Sequence, residues 1–449
     1  MSLLDFLKKH KPVRKGLYSG KFAIEGTSFR AHLRIENDGS GILSLNASRI
    51  LHLNKTATEI AYHFIKGLTE EETITLMKKR YRVSRDVLQN DVKNLYKIIG
   101  TLGQTDKVCP LTDLGISLEE PFTKEISAPL RMDIALTYQC QNRCSHCYNE
   151  EERKIAPLEK EKWFNVLKKI ESVGIPHIVF TGGEPTLVSY LAELIQYSEN
   201  LGLVTGLNTN GRKLKDYSFA KSLADSGIDH IQITLESCDE DIHDKIVNEK
   251  GAFKETISGI ENALKCNIFT MTNTTITEIN KDTILLMPEF VKKMGLSTFA
   301  VNSIIFSGKG KKSNLHLTKE ELLPILAELS KKSRENGLKF IWYTPTKYCE
   351  LNPVEMGLGV KQCTAARLSM AIEPNGDVIP CQSYYTSVGN ILEDSWDKIW
   401  NNELCKKLRM PQKPLALCEN CSDLPLCGGG CPLENEFESF TCREILSQG

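Results

Sequence analysis

Cys140-Gln-Asn-Arg-Cys144-Ser-His-Cys147-Tyr148 places three thiols within eight residues, at spacing C-x3-C-x2-C, directly after the apolar run 132–136. Thiolates are soft ligands suited to iron–sulfur clusters or zinc, and a closed site of either kind takes four. Three close cysteines therefore imply a cluster with one metal corner left for another ligand. Membership in a structural zinc site is the alternative reading of the same three residues.

Around this loop the chain has 449 residues, 41% hydrophobic and 25% charged, which suits a globular protein of two or three domains. Its 56 basic and 57 acidic residues give a net charge of −1, so no nucleic-acid partner is expected. No apolar run approaches the roughly 18 residues of a membrane span. The opening MSLLDFLKKHKPVRKG has neither the long apolar core nor the cleavage site of a signal peptide. Fifteen cysteines, odd in number and clustered, fit metal ligation better than disulfides. The expected location is the cytoplasm, in a reducing or anaerobic setting.

Behind the loop, strand-like and helix-like segments alternate. Candidate strands are 132–137, 177–181, 204–208, 230–235, 269–275 and 298–304, with helical patterns at 158–173, 188–199, 219–224, 253–264 and 281–293. Six such repeats imply parallel strands with right-handed crossovers, an α/β fold forming a partial (βα)6 TIM-type barrel over 131–340. Such folds gather functional groups at the C-terminal ends of their strands. The thiol loop follows the first strand, and Gly182-Gly183-Glu184-Pro185 follows the second. Asn208-Thr-Asn210-Gly211 follows the third and Glu236-Ser237 the fourth. Asn273 and Thr274 lie near the end of the fifth, and Ser307-Gly308-Lys309-Gly310 follows the sixth. All fall on one rim.

A C-x3-C-x2-C loop after the first strand and Gly-Gly-Glu-Pro after the second resemble the radical S-adenosylmethionine (SAM) superfamily. The resemblance implies a [4Fe–4S] cluster on Cys140, Cys144 and Cys147, its fourth iron chelated by the amino and carboxylate groups of SAM. It further implies one-electron cleavage of the S–C5′ bond to a deoxyadenosyl radical, chemistry that belongs to the cofactor. Gly182 and Gly183 would let backbone approach the methionine amino group, Glu184 would accept from it, and Pro185 would stiffen the turn. Asn210, Glu236 and Ser237 fall where the family binds ribose and carboxylate, and Ser307 and Gly308 where it binds adenine. His146 stands where many relatives carry an aromatic and can pack on adenine; Tyr148 borders the same site.

A second cysteine field begins at Cys349. Its spacing is Cys363-x12-Gly376-x4-Cys381, then Cys418-x2-Cys421-x5-Cys427-x3-Cys431, then Cys442. Paired C-x2-C and C-x3-C spacings also suit zinc. The full arrangement resembles the SPASM domain, here 341–449, and implies two auxiliary [4Fe–4S] clusters, three clusters in all. By position, Cys363, Cys381 and Cys431 would hold the nearer one, and Cys418, Cys421, Cys427 and Cys442 the other. Cys349 is expected to complete the nearer cluster, the alternative being an open corner for substrate. Cys109, Cys238, Cys266 and Cys405 have no motif partners and read as inert thiols.

Residues 22–53 read as strands, with Ala31, Leu33 and Ile35 alternating with polar residues, a turn at Asn37-Asp38-Gly39, and runs at 42–45 and 49–53. Three helices should follow. Asn54 caps one with Ile60, Phe64 and Ile65 inward, ending at Gly67. Thr69 and Glu72 form a capping box for the next, which ends near Tyr81. Ser84 caps the third, with Val87, Val92, Leu95 and Ile98 inward and its close at Gly100. Three strands and three helices make a winged-helix-like α+β domain over 1–105, followed by a linker over 106–130. The third helix has no basic face with which to read DNA. The stretches 45–57 and 91–95 resemble the PqqD-like peptide recognition element, which implies a leader peptide adding a strand to the exposed sheet edge.

These resemblances together imply a maturase acting on a ribosomally synthesised precursor peptide. The expected product is a thioether or carbon–carbon cross-link, and the expected reductant a flavodoxin or ferredoxin. Peptide epimerisation, backbone excision and formylglycine formation in a sulfatase are the alternatives among enzymes. A peptide-binding iron–sulfur or zinc scaffold is the alternative outside them.

Overall fold

The fold is described from a computed structural model, over residues 13–24, 26–104, 124–150 and 153–438. Expectations for Cys109, Cys442 and 106–123 fall outside these residues. The chain divides into two units, one of residues 1–130, 167–177 and 200–204, the other of 131–166, 178–199 and 205–449.

In the first unit four strands, not three, form an antiparallel sheet in sequence order: β1 (Gly16–Ile24), β2 (Thr27–Ile35), β3 (Gly41–Leu45) and β4 (Arg49–Leu53). Most of β1 lies before the expected start at residue 22. Three helices follow. Asn54 caps α1 (Lys55–Ile65) by accepting from Ala57 N, and Thr69 and Glu72 close the expected capping box on α2 (Glu70–Arg80). Ser84 Oγ accepts from Val87 N at the start of α3 (Arg85–Gln104), which continues past Gly100. The inward face of α3 is Leu88, Val92, Leu95 and Ile99; Val87 is 47% exposed. Leu33, Leu43, Leu45, Ile60, Met77 and Val92 are among the residues of one buried core.

The alternation along β2 reads as one apolar and one wet face, yet His32 and Arg34 are both buried. Inside the same unit His32 Nε2 meets Gly202 O at 2.7 Å, and Arg34 Nη1 donates to Pro129 O at 2.9 Å. Both faces of β2 are covered, so its polar side chains find carbonyl partners instead of water.

The second sheet has ten strands in the order β11-β10-β9-β8-β7-β6-β5-β12-β13-β14. The six expected strands are present: β5 (Arg131–Thr137), β6 (His177–Gly182), β7 (Val204–Thr209), β8 (His230–Thr234), β9 (Phe269–Thr275) and β10 (Thr298–Asn302). Parallel registers such as Asn208↔Gln232, Thr234↔Asn273 and Ala300↔Ile341 carry the arc on to β11 (Lys339–Trp342). The helix Lys319–Glu335 before β11 opens on a Thr318–Glu321 capping box and adds to the expected elements. At the other edge β12 (Ser369–Ile372) runs parallel to β5, and β13 (Asp377–Ile379) and β14 (Gly389–Asn390) continue antiparallel. The C-terminal region is therefore joined by main-chain bonds to the strand that leads into the thiol loop. Among the described residues no helix is long and apolar enough to cross a membrane.

Candidate active site

β5 ends at Thr137, and the chain leaves the sheet as an irregular loop. Main-chain bonds fix this loop from two sides. Arg143 N and Ser145 N donate to Val247 O and Ile246 O, the last carbonyls of the helix Glu240–Val247. Lys309 N donates to Cys147 O at 2.8 Å and Gly310 N at 3.2 Å. Arg212, which no motif pointed to, supplies a third hold: its Nη1 donates to Asn142 Oδ1 at 2.7 Å while its Nε pairs with Glu255 at 2.6 Å.

The thiols of this loop lie close enough to act on one another electrostatically. Burial pushes Cys140 up to about 11, with Cys147 adding to the rise, and holds Cys144 well above its ordinary value, with Cys147 and Cys140 again contributing. Cys140 and Cys144 do not ionise together unless a cation arrives with the proton loss. Cys140 Sγ already receives Asn142 N at 3.4 Å and Asn210 Nδ2 at 3.9 Å, donors that stabilise a thiolate. Among the described residues no three metal-ligating side chains converge on single-ion geometry. The grouping of these thiols rests on chain spacing and mutual electrostatics, and its donor set fits an iron–sulfur cluster.

Beside the thiols lies the glycine turn after β6. Gly183 N donates to Thr137 O at 2.7 Å and Glu184 N to Gln139 O at 2.8 Å, which carries the pairing of the two strands beyond their ends. The Glu184 carboxylate is fully buried. Its Oε1 accepts from Thr186 N, Thr186 Oγ1 and Thr209 Oγ1 at 3.0, 2.6 and 2.7 Å, and its Oε2 from Asn210 N at 2.8 Å. Burial pushes this carboxyl up, and the four donors pull it back toward ionisation. Glu184 thus ties the ends of β6 and β7 together, in addition to the ammonium contact expected of it.

The remaining expected residues reach the rim with different partners. Glu236 is fully buried: its Oε2 accepts from Thr275 N at 2.8 Å and its Oε1 lies 3.1 Å from His146 Nε2. Ser237 Oγ accepts from Asp239 N at 3.1 Å at the start of the next helix. Asn210 Oδ1 accepts from Arg212 N at 3.0 Å. Ser307 N donates to Ile305 O, and Gly308 backs onto the carbonyls of Tyr148 and Asn149. Tyr148 is raised by burial and by Cys147. Asn273 and Thr274 lie inside β9, where Asn273 Nδ2 donates to Asn302 Oδ1 and Thr274 Oγ1 to Leu235 O.

In the C-terminal region Cys363, Cys381 and Cys431 are each pushed up to about 12 by burial. They also act on one another electrostatically, Cys381 on Cys363, Cys431 on Cys381 and Cys363 on Cys431. Cys418 and Cys427 are buried and Cys421 half-buried. Cys349, expected at the nearer site, belongs to a segment that Tyr348 N ties to Cys427 Sγ. It is exposed and raised by burial of its thiol and by Glu350, then by Cys427 and Cys418. The neighbouring Tyr348 N donates to Cys427 Sγ at 3.4 Å, which anchors this segment beside the second group of thiols. Cys349→Ala is therefore expected to leave the spectroscopic signal of the Cys363–Cys381–Cys431 site unchanged in a chain whose Cys140, Cys144 and Cys147 are all alanine. Loss of that signal would place Cys349 at the nearer site.

Residues 134–291 match the radical SAM superfamily, and residues 363–422 match the SPASM iron–sulfur cluster-binding domain. The chain carries a radical SAM domain and a SPASM domain. This radical SAM enzyme uses S-adenosylmethionine and a [4Fe–4S] cluster, with auxiliary iron–sulfur clusters in its SPASM domain. It is similar to the PqqA peptide cyclase of Rhizobium meliloti, 27% identical over 68% of this chain and 83% of that protein. It is also similar to the AdoMet-dependent heme synthase of Methanosarcina barkeri, 24% identical over 68% and 91%. Among solved structures, Streptococcus suis SuiB bound to its precursor peptide SuiA shares the fold, with TM-score 0.66, 19% identity, and coverage of 90% of this chain and 94% of that one.

Proposed function

We propose that this radical SAM enzyme binds a ribosomally synthesised precursor peptide and cross-links its core through a thioether or carbon–carbon bond. The observation that carries the reading is the antiparallel sheet of the first unit, a module that SAM cleavage does not require. Its β4 is an edge strand with Ile50 41% exposed and His52 exposed, so its outer main-chain groups can accept a further strand. In this reading the module is a PqqD-like leader-binding element. The likeness to a peptide cyclase and to a structure holding a precursor peptide supports it.

When bound, the cluster and SAM supply a 5′-deoxyadenosyl radical that takes hydrogen from the substrate, and the auxiliary clusters supply an acceptor for the electron left over. The chain's own part is placement. Cys140, Cys144 and Cys147 hold the cluster, and Gly182 to Glu184 cradle the methionine end of SAM. The rim at Asn210, His146 and Ser307 keeps the nucleoside in register. A flavodoxin- or ferredoxin-type protein is the proposed reductant and the cytoplasm the proposed setting.

The test incubates the reduced, cluster-loaded enzyme with SAM and a candidate precursor peptide carrying a leader and a core. Each cross-link is expected to remove two hydrogens from the peptide mass, and a peptide without its leader is expected to stay unmodified. Release of 5′-deoxyadenosine with an unchanged peptide mass would refute cross-linking. Deuterium uptake from D2O without loss of hydrogen would instead indicate epimerisation.

A further inference from the structure

Glu373 lies between β12 and β13 of the C-terminal region and is 1% exposed. A carboxylate that dry is costly unless donors reach it. Its Oε1 accepts from Tyr138 Oη at 2.9 Å and from Arg153 Nη2. Tyr138 stands just before the thiol loop, and Arg153 follows shortly after it. The Arg153 guanidinium also lies over the Tyr385 ring, 4.6 Å from its centroid, and its Nε makes no hydrogen bond among the described residues. Tyr385 meets Tyr138 edge to face at 6.3 Å. Its hydroxyl donates to Asn149 Oδ1 at 2.8 Å, and Asn149 Nδ2 donates to Gly182 O at 2.9 Å.

The result is a chain of side chains that starts in the C-terminal region, touches the thiol loop on both flanks and ends on the glycine turn. None of its members carries a motif, and none ligates a cluster in the assignment above. Apolar residues of similar volume would fill the same space, but they would accept several arrangements where a hydrogen-bonded network fixes one. The quantity fixed here is the spacing between the Cys140–Cys147 loop and Gly182, the two walls between which SAM must fit.

The geometry points to Glu373, with Arg153 and Tyr385, as positioning residues for S-adenosylmethionine, through which the SPASM domain sets the width of the SAM site. Tyr385 lies in the turn that follows Cys381, and Tyr384 N donates to Cys381 O at 3.1 Å. The region around an auxiliary thiol and the SAM site are thus joined by a few side chains. The inference stands whether or not the substrate is a peptide.

Two conservative variants test it in the enzyme carrying all its clusters, without any peptide. Glu373→Gln keeps an acceptor for Tyr138 and removes the charge opposite Arg153. Tyr385→Phe keeps the ring beneath Arg153 and removes only the hydroxyl on Asn149. Outer residues that orient ligands at a metal site change affinity by about 10–100-fold when replaced. Each variant is expected to raise the KM for SAM in reductive cleavage by about that factor. The SAM concentration needed to shift the electron paramagnetic resonance signal of the reduced Cys140–Cys147 cluster should rise in parallel. The cleavage rate at saturating SAM and the iron per chain should stay at parental values. A parental SAM dependence in Tyr385→Phe overturns the proposal. So does a loss of iron and rate with no change in the SAM dependence of the enzyme that remains, because that pattern marks a purely structural network.

Discussion

Gly183→Ala is expected to lower reductive SAM cleavage by about 100-fold while leaving the chain folded and the Cys363–Cys381–Cys431 site loaded. The reason is a close approach of backbones. A Cβ on Gly183 would stand 2.3 Å from Gln139 O and 2.6 Å from Tyr138 O, where ordinary contact begins near 3.4 Å. No flexible side chain can yield there, because both neighbours are main chain. Either the glycine turn or the 138–139 segment must move by about 1 Å, and that segment leads directly into Cys140. Gly183 N would also lose its 2.7 Å bond to Thr137 O. A displacement of 1 Å between groups that must meet costs on the order of 100-fold in rate. The measurement is 5′-deoxyadenosine formation at saturating SAM with iron counted per chain. A variant that cleaves SAM at the parental rate would show that the loop and the turn need not be in register.

The same turn shows why parts of the molecule could be read from sequence. Gly182-Gly183-Glu184-Pro185, the capping pairs at Asn54 and at Thr69 with Glu72, and the three-thiol spacing are local signals, complete within a few residues. Their positions at strand ends follow from the alternation of strand and helix. What escaped detection depends on partners far along the chain. β1 has two glycines and a half-exposed face, so its pairing with β2 leaves little periodic trace. On α3 the inward residues are Leu88 and Ile99 where Val87 and Ile98 were expected, a shift of one residue set by the sheet beneath. Glu236 was expected to face SAM from its position alone, and nothing local to it announces that its Oε2 accepts from Thr275 N at 2.8 Å. Nothing local to Glu373, Arg153 or Tyr385 announces a network whose bonds span more than 200 residues of sequence. Such contacts exist only once β12 has paired with β5.

Glu184→Gln isolates the carboxylate from its volume, and SAM cleavage in this variant is expected to fall by roughly 5- to 150-fold. Both oxygens of Glu184 are committed to backbone donors, Oε1 to Thr186 N at 3.0 Å and Oε2 to Asn210 N at 2.8 Å. An amide offers one acceptor. Whichever way the Gln side chain turns, its NH2 group faces one of the backbone N–H groups that donate to Glu184, Thr186 N or Asn210 N. Leaving such a donor unsatisfied costs about 1–3 kcal/mol, and each 1.4 kcal/mol is tenfold in an equilibrium. The strain has two outlets, the turn at 184–186 and the strand end at Thr209–Asn210. Asn210 is also the residue whose Nδ2 approaches Cys140 Sγ at 3.9 Å. Either movement loosens the wall that SAM must meet, so the loss should fall mainly on the KM for SAM and less on the rate at saturation. The contrast with Glu184→Ala sharpens the test, because alanine removes the acceptors without placing an NH2 group against the backbone and leaves a space that water can fill. If Glu184→Gln retained the parental KM while Glu184→Ala lost it, the two-sided backbone clasp would not be what Glu184 contributes. A larger loss in Gln than in Ala would identify the clasp as the device that holds β6 and β7 in register beneath the thiol loop.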